Sequence, residues 1–253
     1  MTFTDEELDR YARQIVLREF GGAGQSRLKA ASVCAVGAGG IGSAVIPALA
    51  GAGVGRLTII DGDMVSLSNL QRQSLYRSDQ VDQPKAPLAA AFVEALNPFV
   101  TITACEQRID TANAAELLAG HDVILDGTDN FMTRLAVSDS AVGLGIPLLS
   151  AAAAQFQGQV GLWRGHEPDQ PCYRCFVGDA FDADDCDSCA ELGVLGALTG
   201  TVGNFAALLA IRTLAGVGED PAGKLHLFDG LTGDWRAMTL RKDPGCRACG
   251  SQR

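Results

Sequence analysis

Six of the eight cysteines fall into three C-x-x-C pairs, Cys172 with Cys175, Cys186 with Cys189, and Cys246 with Cys249. In a chain with no export signal, that spacing points to metal or redox chemistry rather than disulfides. Two such pairs make a tetrahedral zinc site with four cysteine ligands, and three pairs allow three pairings, so spacing alone leaves the ligand set open. Cys34 and Cys105 lie in strand-like segments and read as core residues. A second cluster of chemistry begins at Gly37-Ala38-Gly39-Gly40-Ile41-Gly42, a G-x-G-x-x-G match. Gly37, Gly39, Gly40 and Gly42 would let a helix N-terminus approach a phosphate. Asp61 follows Gly42 by nineteen residues, close to the ~20-residue offset of a ribose-binding acid. That motif does not separate NAD from ATP.

The charges further along favour ATP. Arg72, within the segment from Ser66 to Gln73, and Lys85, after Gln83-Pro84, put two cations beyond Asp61. A dehydrogenase needs no such pair at its phosphates. A reaction that builds charge on a phosphoryl group and expels pyrophosphate needs fixed cations and usually Mg2+. Asp126-Gly127-Thr128-Asp129-Asn130 follows a buried apolar strand, so its polar groups emerge at a carboxyl strand end, where open α/β sheets bind ligands. Asp129 is expected either to hold Mg2+ or to cap the following helix, with Asp126 as the competing carboxylate.

Periodicity locates the elements that must carry these groups. Residues 4–18 predict a helix: Thr4-x-x-Glu7 can form a capping box, and Leu8, Tyr11, Ala12 and Ile15 share one face, with Arg13 and Gln14 off it. Residues 32–36 predict a strand, followed by the glycine loop and a helix to about Gly51 that Pro47 should kink. A second strand over 57–60 completes a β-α-β unit. Helices over 85–96, 112–119 and 131–144 then alternate with strands over 101–104, 123–125 and 147–150. Residues 159–163 predict a further strand, 172–189 a loop rich in cysteine and aspartate, and 195–214 a glycine-interrupted helix. Residues 225–228 and 235–240 predict an antiparallel pair joined through Asp229-Gly230. The expected fold class is α/β, a Rossmann-like, mostly parallel sheet with helices on both faces and antiparallel strands at its C-terminal end.

At 253 residues, 47% apolar and 20% charged, the chain can build a sizeable core and is neither disordered nor a disulfide framework. A net charge of −10 argues against nucleic acid or an anionic membrane as a partner. Thirty glycines, roughly twice a usual ~7% share, imply many tight turns or backbone approaches to a ligand. The first residues lack a basic stretch followed by an apolar one, so no secretory signal is visible and a cytoplasmic protein is expected. Two uncharged runs, 30–55 and 193–211, read as buried core: glycines and Pro47 interrupt the first, and Thr199, Thr201 and Asn204 the second.

On these residues the chain resembles the E1-like ThiF/MoeB/HesA family, specifically the molybdopterin-synthase and thiamine sulfur-carrier adenylyltransferases. The resemblance rests on Arg13-Gln14-Ile15, the glycine loop with Gly53-Val54-Gly55, Ser66 through Gln73, Gln83-Pro84-Lys85, Thr128-Asp129-Asn130, Pro171 through Cys175, and Pro244-Gly245-Cys246 with Cys249. It covers nearly the whole chain and implies a single adenylation domain over 1–253. Within it would lie an N-terminal helix at 4–18, a nucleotide-binding core at 30–165, a crossover loop at 172–192 and C-terminal strands at 224–253.

The implied activity is ATP-dependent adenylation of the C-terminal Gly-Gly carboxylate of a small ubiquitin-like sulfur carrier, with release of pyrophosphate. By the same resemblance Asp61 would bind ribose, and Asn69, Arg72 and Lys85 would contact the triphosphate. Asp129 would hold magnesium, and Arg13 would reach the γ-phosphate across a homodimer. The resemblance selects Cys172, Cys175, Cys246 and Cys249 as zinc ligands with a structural task. Cys189 matches the cysteine that forms a carrier thio-linkage in some thiamine-type members, although the aspartates around it should raise its thiol pKa. Cys186 departs from the family pattern and reads as a loop residue. The chain ends soon after Cys249, with no rhodanese domain, so a separate sulfur donor is expected. Two rivals are an NAD-dependent oxidoreductase on the same β-α-β fingerprint and a non-catalytic zinc-bearing scaffold.

Overall fold

Apolar runs too short for helices become strands in a computed structural model that describes residues 2–178 and 193–250. They are β1 (Ser32–Val36), β2 (Arg56–Ile60), β3 (Thr101–Cys105), β4 (Val123–Asp126), β5 (Leu148–Ala154), β6 (Gln157–Trp163), β7 (Lys224–Asp229) and β8 (Asp234–Thr239). Among the described residues they form one sheet in the order β3-β2-β1-β4-β5-β6-β7-β8. Pairing is parallel from β3 to β5 and antiparallel from β5 to β8. The chain starts at β1, winds outward to β3, then returns past β1 to β4. Strand order therefore reverses between β1 and β4, and the connections leaving their carboxyl ends diverge into a crevice.

Helices cover both faces. On one side lie α2 (Gly21–Ala30), α3 (Gly42–Ala52), α4 (Lys85–Leu96) and a long helix over Gly196–Ala215; on the other lie α5 (Ala114–Leu118), α6 (Phe131–Leu144) and α7 (Tyr173–Val177). The long helix is α8, and α1 (Asp5–Ile15) precedes the sheet. The period-2 alternation of β1 serves both cores. Val33 and Ala35 join Leu28, Leu49 and Val202, whereas Cys34 and Val36 join Leu118, Leu135 and Trp163. By length and composition α8 could cross a membrane, yet its Val202, Ala206 and Ala210 are fully buried in the first core.

Several expectations need correction. The Thr4/Glu7 capping box starts α1 as expected, but the helix ends at Ile15 and buries Glu7 and Tyr11. Leu8 is 44% exposed, because an ion pair between Glu7 and Lys29 of α2 (2.6 Å) turns the helix. The sequence reading left α2 unassigned. Its glycine-led start has no side-chain cap and almost no amphipathic signal, and packing of Leu28 and Gln25 holds it in place. β5 runs on past Ser150 because Ala151–Ala154, alanines without strand character, pair with residues 157–160 of β6. The hairpin between β7 and β8 closes on the Asp229–Asp234 pair with residues 230–233 between them, so each strand runs one residue further into the expected 229–234 connection. α3 contains Pro47 and runs to Ala52, one residue past its expected end. α7 lies inside the expected cysteine loop, and the rest of that loop, with Cys186, Cys189 and the aspartates between them, is outside the described residues.

Candidate active site

A cavity of about 590 Å³ opens where the strand order reverses. β1 delivers the glycine loop to it. Gly37 takes φ +90°, which a side chain resists, and a Cβ on Gly42 would collide with the Gly37 carbonyl oxygen. Gly37, Gly39 and Gly40 line the cavity, and Gly42 opens α3 behind them. Asp61, at the end of β2, joins the loop to its own turn. Its carboxylate accepts the Ala38 N–H (2.7 Å) and the Asp63 N–H (2.8 Å). Burial pushes the Asp61 carboxyl above its usual range, against the charge of Lys85 and these two N–H groups. From the far side the Tyr76 hydroxyl donates to the Ala38 carbonyl at 2.8 Å, so the loop is held on two flanks.

The cations arrive from the connection between β2 and α4. Lys85 is the first residue of α4, is 5% exposed and lines the cavity. Its Nζ lies 3.3 Å from Asp63, whose other carboxylate oxygen takes Arg108 at 2.7 Å. Arg72, half-buried, also lines the cavity, and its Nη1 donates to the Ser68 carbonyl at 3.3 Å. Asn69 does not line it. The Asn69 carbonyl accepts the N–H groups of Arg72 and Gln73 and so shapes the segment that carries both.

β4 supplies the carboxylates, and here the structure separates them. Asp129 is exposed and lines the cavity; Asp126 is fully buried and does not. The cap of α6 is Asn130, whose side chain accepts the Thr133 N–H (2.9 Å), so Asp129 does not serve as the helix cap. Arg13 is exposed on α1 and does not line the cavity. The sequence reading missed Asp63, Arg108 and Arg134 as lining residues and gave Gln73 no role. Asp63 was visible as the second acid of Asp61-Gly62-Asp63, and Gln73 as a neighbour of Arg72. Arg108 and Arg134 carry no local signal.

Four thiols meet elsewhere. The sulfurs of Cys172, Cys175, Cys246 and Cys249 all lie within 4.8 Å of one another, and none of these residues lines the cavity. The Cys172–Cys246, Cys175–Cys249 and Cys172–Cys175 separations are 3.6, 3.4 and 3.8 Å. A tetrahedral ion with metal–sulfur bonds of ~2.3 Å requires sulfurs about 3.8 Å apart, so the cluster fits a metal site. Hydrogen bonding between Cys172 and Cys175 pulls the Cys175 thiol below its usual range and pushes Cys172 above it. Arg174 braces α7 on α6 through a two-point contact with Asp139, at 3.1 and 2.7 Å.

Residues 11–248 match the family model described as ThiF family. A sulfur carrier protein adenylyltransferase of Thermus thermophilus is 44% identical over 255 residues, covering 100% of this chain and 94% of the relative. A molybdopterin-synthase adenylyltransferase of Salmonella typhimurium is 42% identical over 247 residues, covering 98% of each chain. Among solved structures, E. coli MccB with MccA-N7isoASN superimposes with a TM-score of 0.85 at 19% identity, covering 99% of this chain and 76% of that one, which is a likeness of fold. With the family model matching residues 11–248, and with these two relatives covered over 94% and 98% of their length, the chain belongs to the ThiF family.

Proposed function

We propose that the protein adenylates the C-terminal Gly-Gly carboxylate of a small ubiquitin-like sulfur carrier, consuming ATP and releasing pyrophosphate. The observation that carries this reading is the meeting of the glycine loop, Asp61, Arg72, Lys85 and Asp129 around one cavity. Relatives named as sulfur-carrier and molybdopterin-synthase adenylyltransferases support the same reaction class. A carrier carboxylate oxygen attacks the α-phosphorus of ATP. The bond to the bridging oxygen breaks, and pyrophosphate departs with its electron pair.

Asp61 receives the ribose hydroxyls beside Gly37, Gly39 and Gly40, while Gly42 lets α3 start close to the phosphates. Lys85 and Arg72 face the charge that grows on the triphosphate, and Asn69 acts through the Arg72 segment that its carbonyl shapes rather than by direct contact. Asp129 would hold Mg2+, which supplies charge neutralisation on the departing pyrophosphate. Cys172, Cys175, Cys246 and Cys249 would hold Zn2+ with every position filled by sulfur, a structural site with none left for chemistry. In a homodimer, Arg13 of one protomer serves the γ-phosphate in the other protomer's cavity. A separate sulfur donor then displaces AMP from the acyl-adenylate, and Cys189 belongs to that later step. Residues 1–253 act as one cytoplasmic adenylation domain, without nucleic acid or membrane partners.

Labelled pyrophosphate should exchange into ATP only when a Gly-Gly carrier is present, and a carrier shortened by its last two glycines should support none. NAD reduction without carrier-dependent exchange would replace this reading with the oxidoreductase. Arg13→Ala and Asp129→Ala chains, each weak alone, should regain up to about a quarter of wild-type activity when refolded together, since random pairing makes about half the dimers mixed, each with one intact site. Activity equal to the mean of the two variants, with mixed dimers confirmed by mass spectrometry, would place Arg13 in its own protomer's cavity.

A further inference from the structure

Asp126 is fully buried beneath the cavity. Its Oδ1 accepts two hydrogen bonds from Thr128, one from the backbone N–H (2.9 Å) and one from the hydroxyl (2.7 Å). Its Oδ2 has no hydrogen-bond partner among the described residues. Arg134, on the first turn of α6 and 7% exposed, donates Nη2 to the Thr128 carbonyl and, at 3.2 Å, to the Ala151 carbonyl of β5. The N–H, the hydroxyl and the carbonyl of Thr128 are thus all engaged by two buried ionisable side chains. On either side of Thr128 the chain is also fixed: a Cβ on Gly127 would press on Ile41 of the glycine loop, and Asn130 caps α6. Asp129 is the residue left between these restraints, with its carboxylate at the cavity.

Burying a carboxyl and a guanidinium is an expensive way to close a turn. Desolvation of ionisable groups is commonly not recovered relative to apolar residues of the same volume, and here one carboxyl oxygen stays without a hydrogen bond among the described residues. A capping Ser or Asn would close the same turn without that cost. What the pair adds is placement, because Arg134 ties Thr128 to β5 and α6 while Asp126 ties it to β4.

We infer that Asp126 and Arg134 form a buried clamp on Thr128 that fixes the Asp129 carboxylate at the cavity, making both of them positioning residues for adenylation. This rests on the reading of Asp129 as the magnesium-holding residue. The clamp acts on the direction of one carboxylate, so its loss should appear in magnesium dependence and leave metal-free ATP binding alone.

The test is a double-mutant cycle on the full chain, read by carrier-dependent pyrophosphate exchange and by calorimetry of ATP binding with and without Mg2+. Asp126→Ala, at a residue outside the cavity lining, should lower exchange and raise the half-saturating Mg2+ concentration by about tenfold with metal-free ATP affinity unchanged, and Arg134→Gln should raise the Mg2+ requirement by a similar factor. Asp126→Asn, which keeps the acceptor for both Thr128 bonds, should restore exchange to within about threefold of wild type. Added to Asp129→Ala, neither Arg134→Gln nor Asp126→Ala should cost anything further, because the group they place is already gone. Thr128→Val removes only the hydroxyl contact and should shift magnesium dependence the same way by a smaller factor, which keeps the test open if Arg134→Gln melts below the assay temperature. Losses that multiply in the double variants, or an unchanged magnesium dependence in folded single variants, would overturn the clamp while leaving Asp129 its role. Wild-type exchange by Asp129→Ala would instead overturn that role and the clamp together.

Discussion

The parallel half of the sheet, β1 to β5, and the antiparallel half, β6 to β8, hold their functional groups in different ways. β1 and β4 are buried along their whole length, and the loops leaving their carboxyl ends take their geometry from strand register. β8 is exposed at every residue. The segment after it is held by four thiols that meet α7 over a small apolar cluster. One half positions by burial on both faces, the other by a few side-chain attachments beyond its last strand. Loss of one polar side chain in the parallel half should therefore cost chemistry before fold, and loss of one thiol beyond β8 should cost fold before chemistry.

The largest effect expected from that contrast is on stability. Cys246→Ser should abolish metal content by mass spectrometry and lower the melting transition by roughly 10 °C, the shift that ~3–5 kcal/mol produces at ~2–4 °C per kcal/mol. Below that transition, pyrophosphate exchange should persist; its disappearance from a folded variant would mean that the two halves are not separable. Asp129→Ala should do the reverse, lowering exchange by about 10²-fold or more while the melting curve stays in place.

Asn97 sharpens the comparison, because it lies in the parallel half and carries no chemistry. Fully buried, it donates to the Tyr11 hydroxyl (2.9 Å) and the Ala50 carbonyl (2.6 Å), joining α1 to α3. Asn97→Ala should cost ~1–3 kcal/mol in denaturant titration and leave KM for ATP unchanged. The smallest effect belongs to Glu7. Burial pushes its carboxyl up, but Lys29 and the Thr4 N–H outweigh burial and hold it below the usual carboxylate range. A depressed folded value means that this stability is present above the ordinary range and is lost as pH falls through the folded one. Lys29→Met should therefore lower stability slightly at neutral pH, flatten the acid limb of the stability curve and converge on wild type at low pH.

What could be read in advance followed from local pattern. The glycine loop, Asp61 and Asp126–Asn130 sit where short apolar runs end, and strand ends are where an α/β sheet exposes its polar groups. Which four cysteines meet was legible by resemblance, since spacing alone allowed three pairings. What escaped depends on tertiary partners. α2 opens with glycines and draws its stability from Leu28 and Gln25 packing inward. Leu8 faces solvent because an ion pair outcompetes an apolar stripe, a choice that no single helix encodes. Arg108 reaches the cavity from the chain just past β3 and Arg134 from α6, elements whose periodicity announces them only as cover. The choice between Asp126 and Asp129 needed the depth of each carboxylate, which three residues of sequence separation do not carry.

β8 forms one margin of the sheet, and among the described residues its outer N–H and C=O groups have no strand beside them. Trp235 and Met238 stand partly uncovered on it, while Asp234 and Arg236 supply charge that discourages a second copy from pairing there. The chain beyond β8 is drawn away from that margin: Lys242 donates to the carbonyls of Gly165 and Glu167, at 3.1 and 2.8 Å, and the four thiols fix the end. If these thiols hold a metal as proposed, stripping it would release this tether and leave the β7–β8 hairpin free to fray, with β7 as the new margin carrying Leu225, Leu227 and Phe228. Metal loss should then show itself less as clean reversible melting than as strand-to-strand association between molecules, with light scattering that rises steeply with protein concentration.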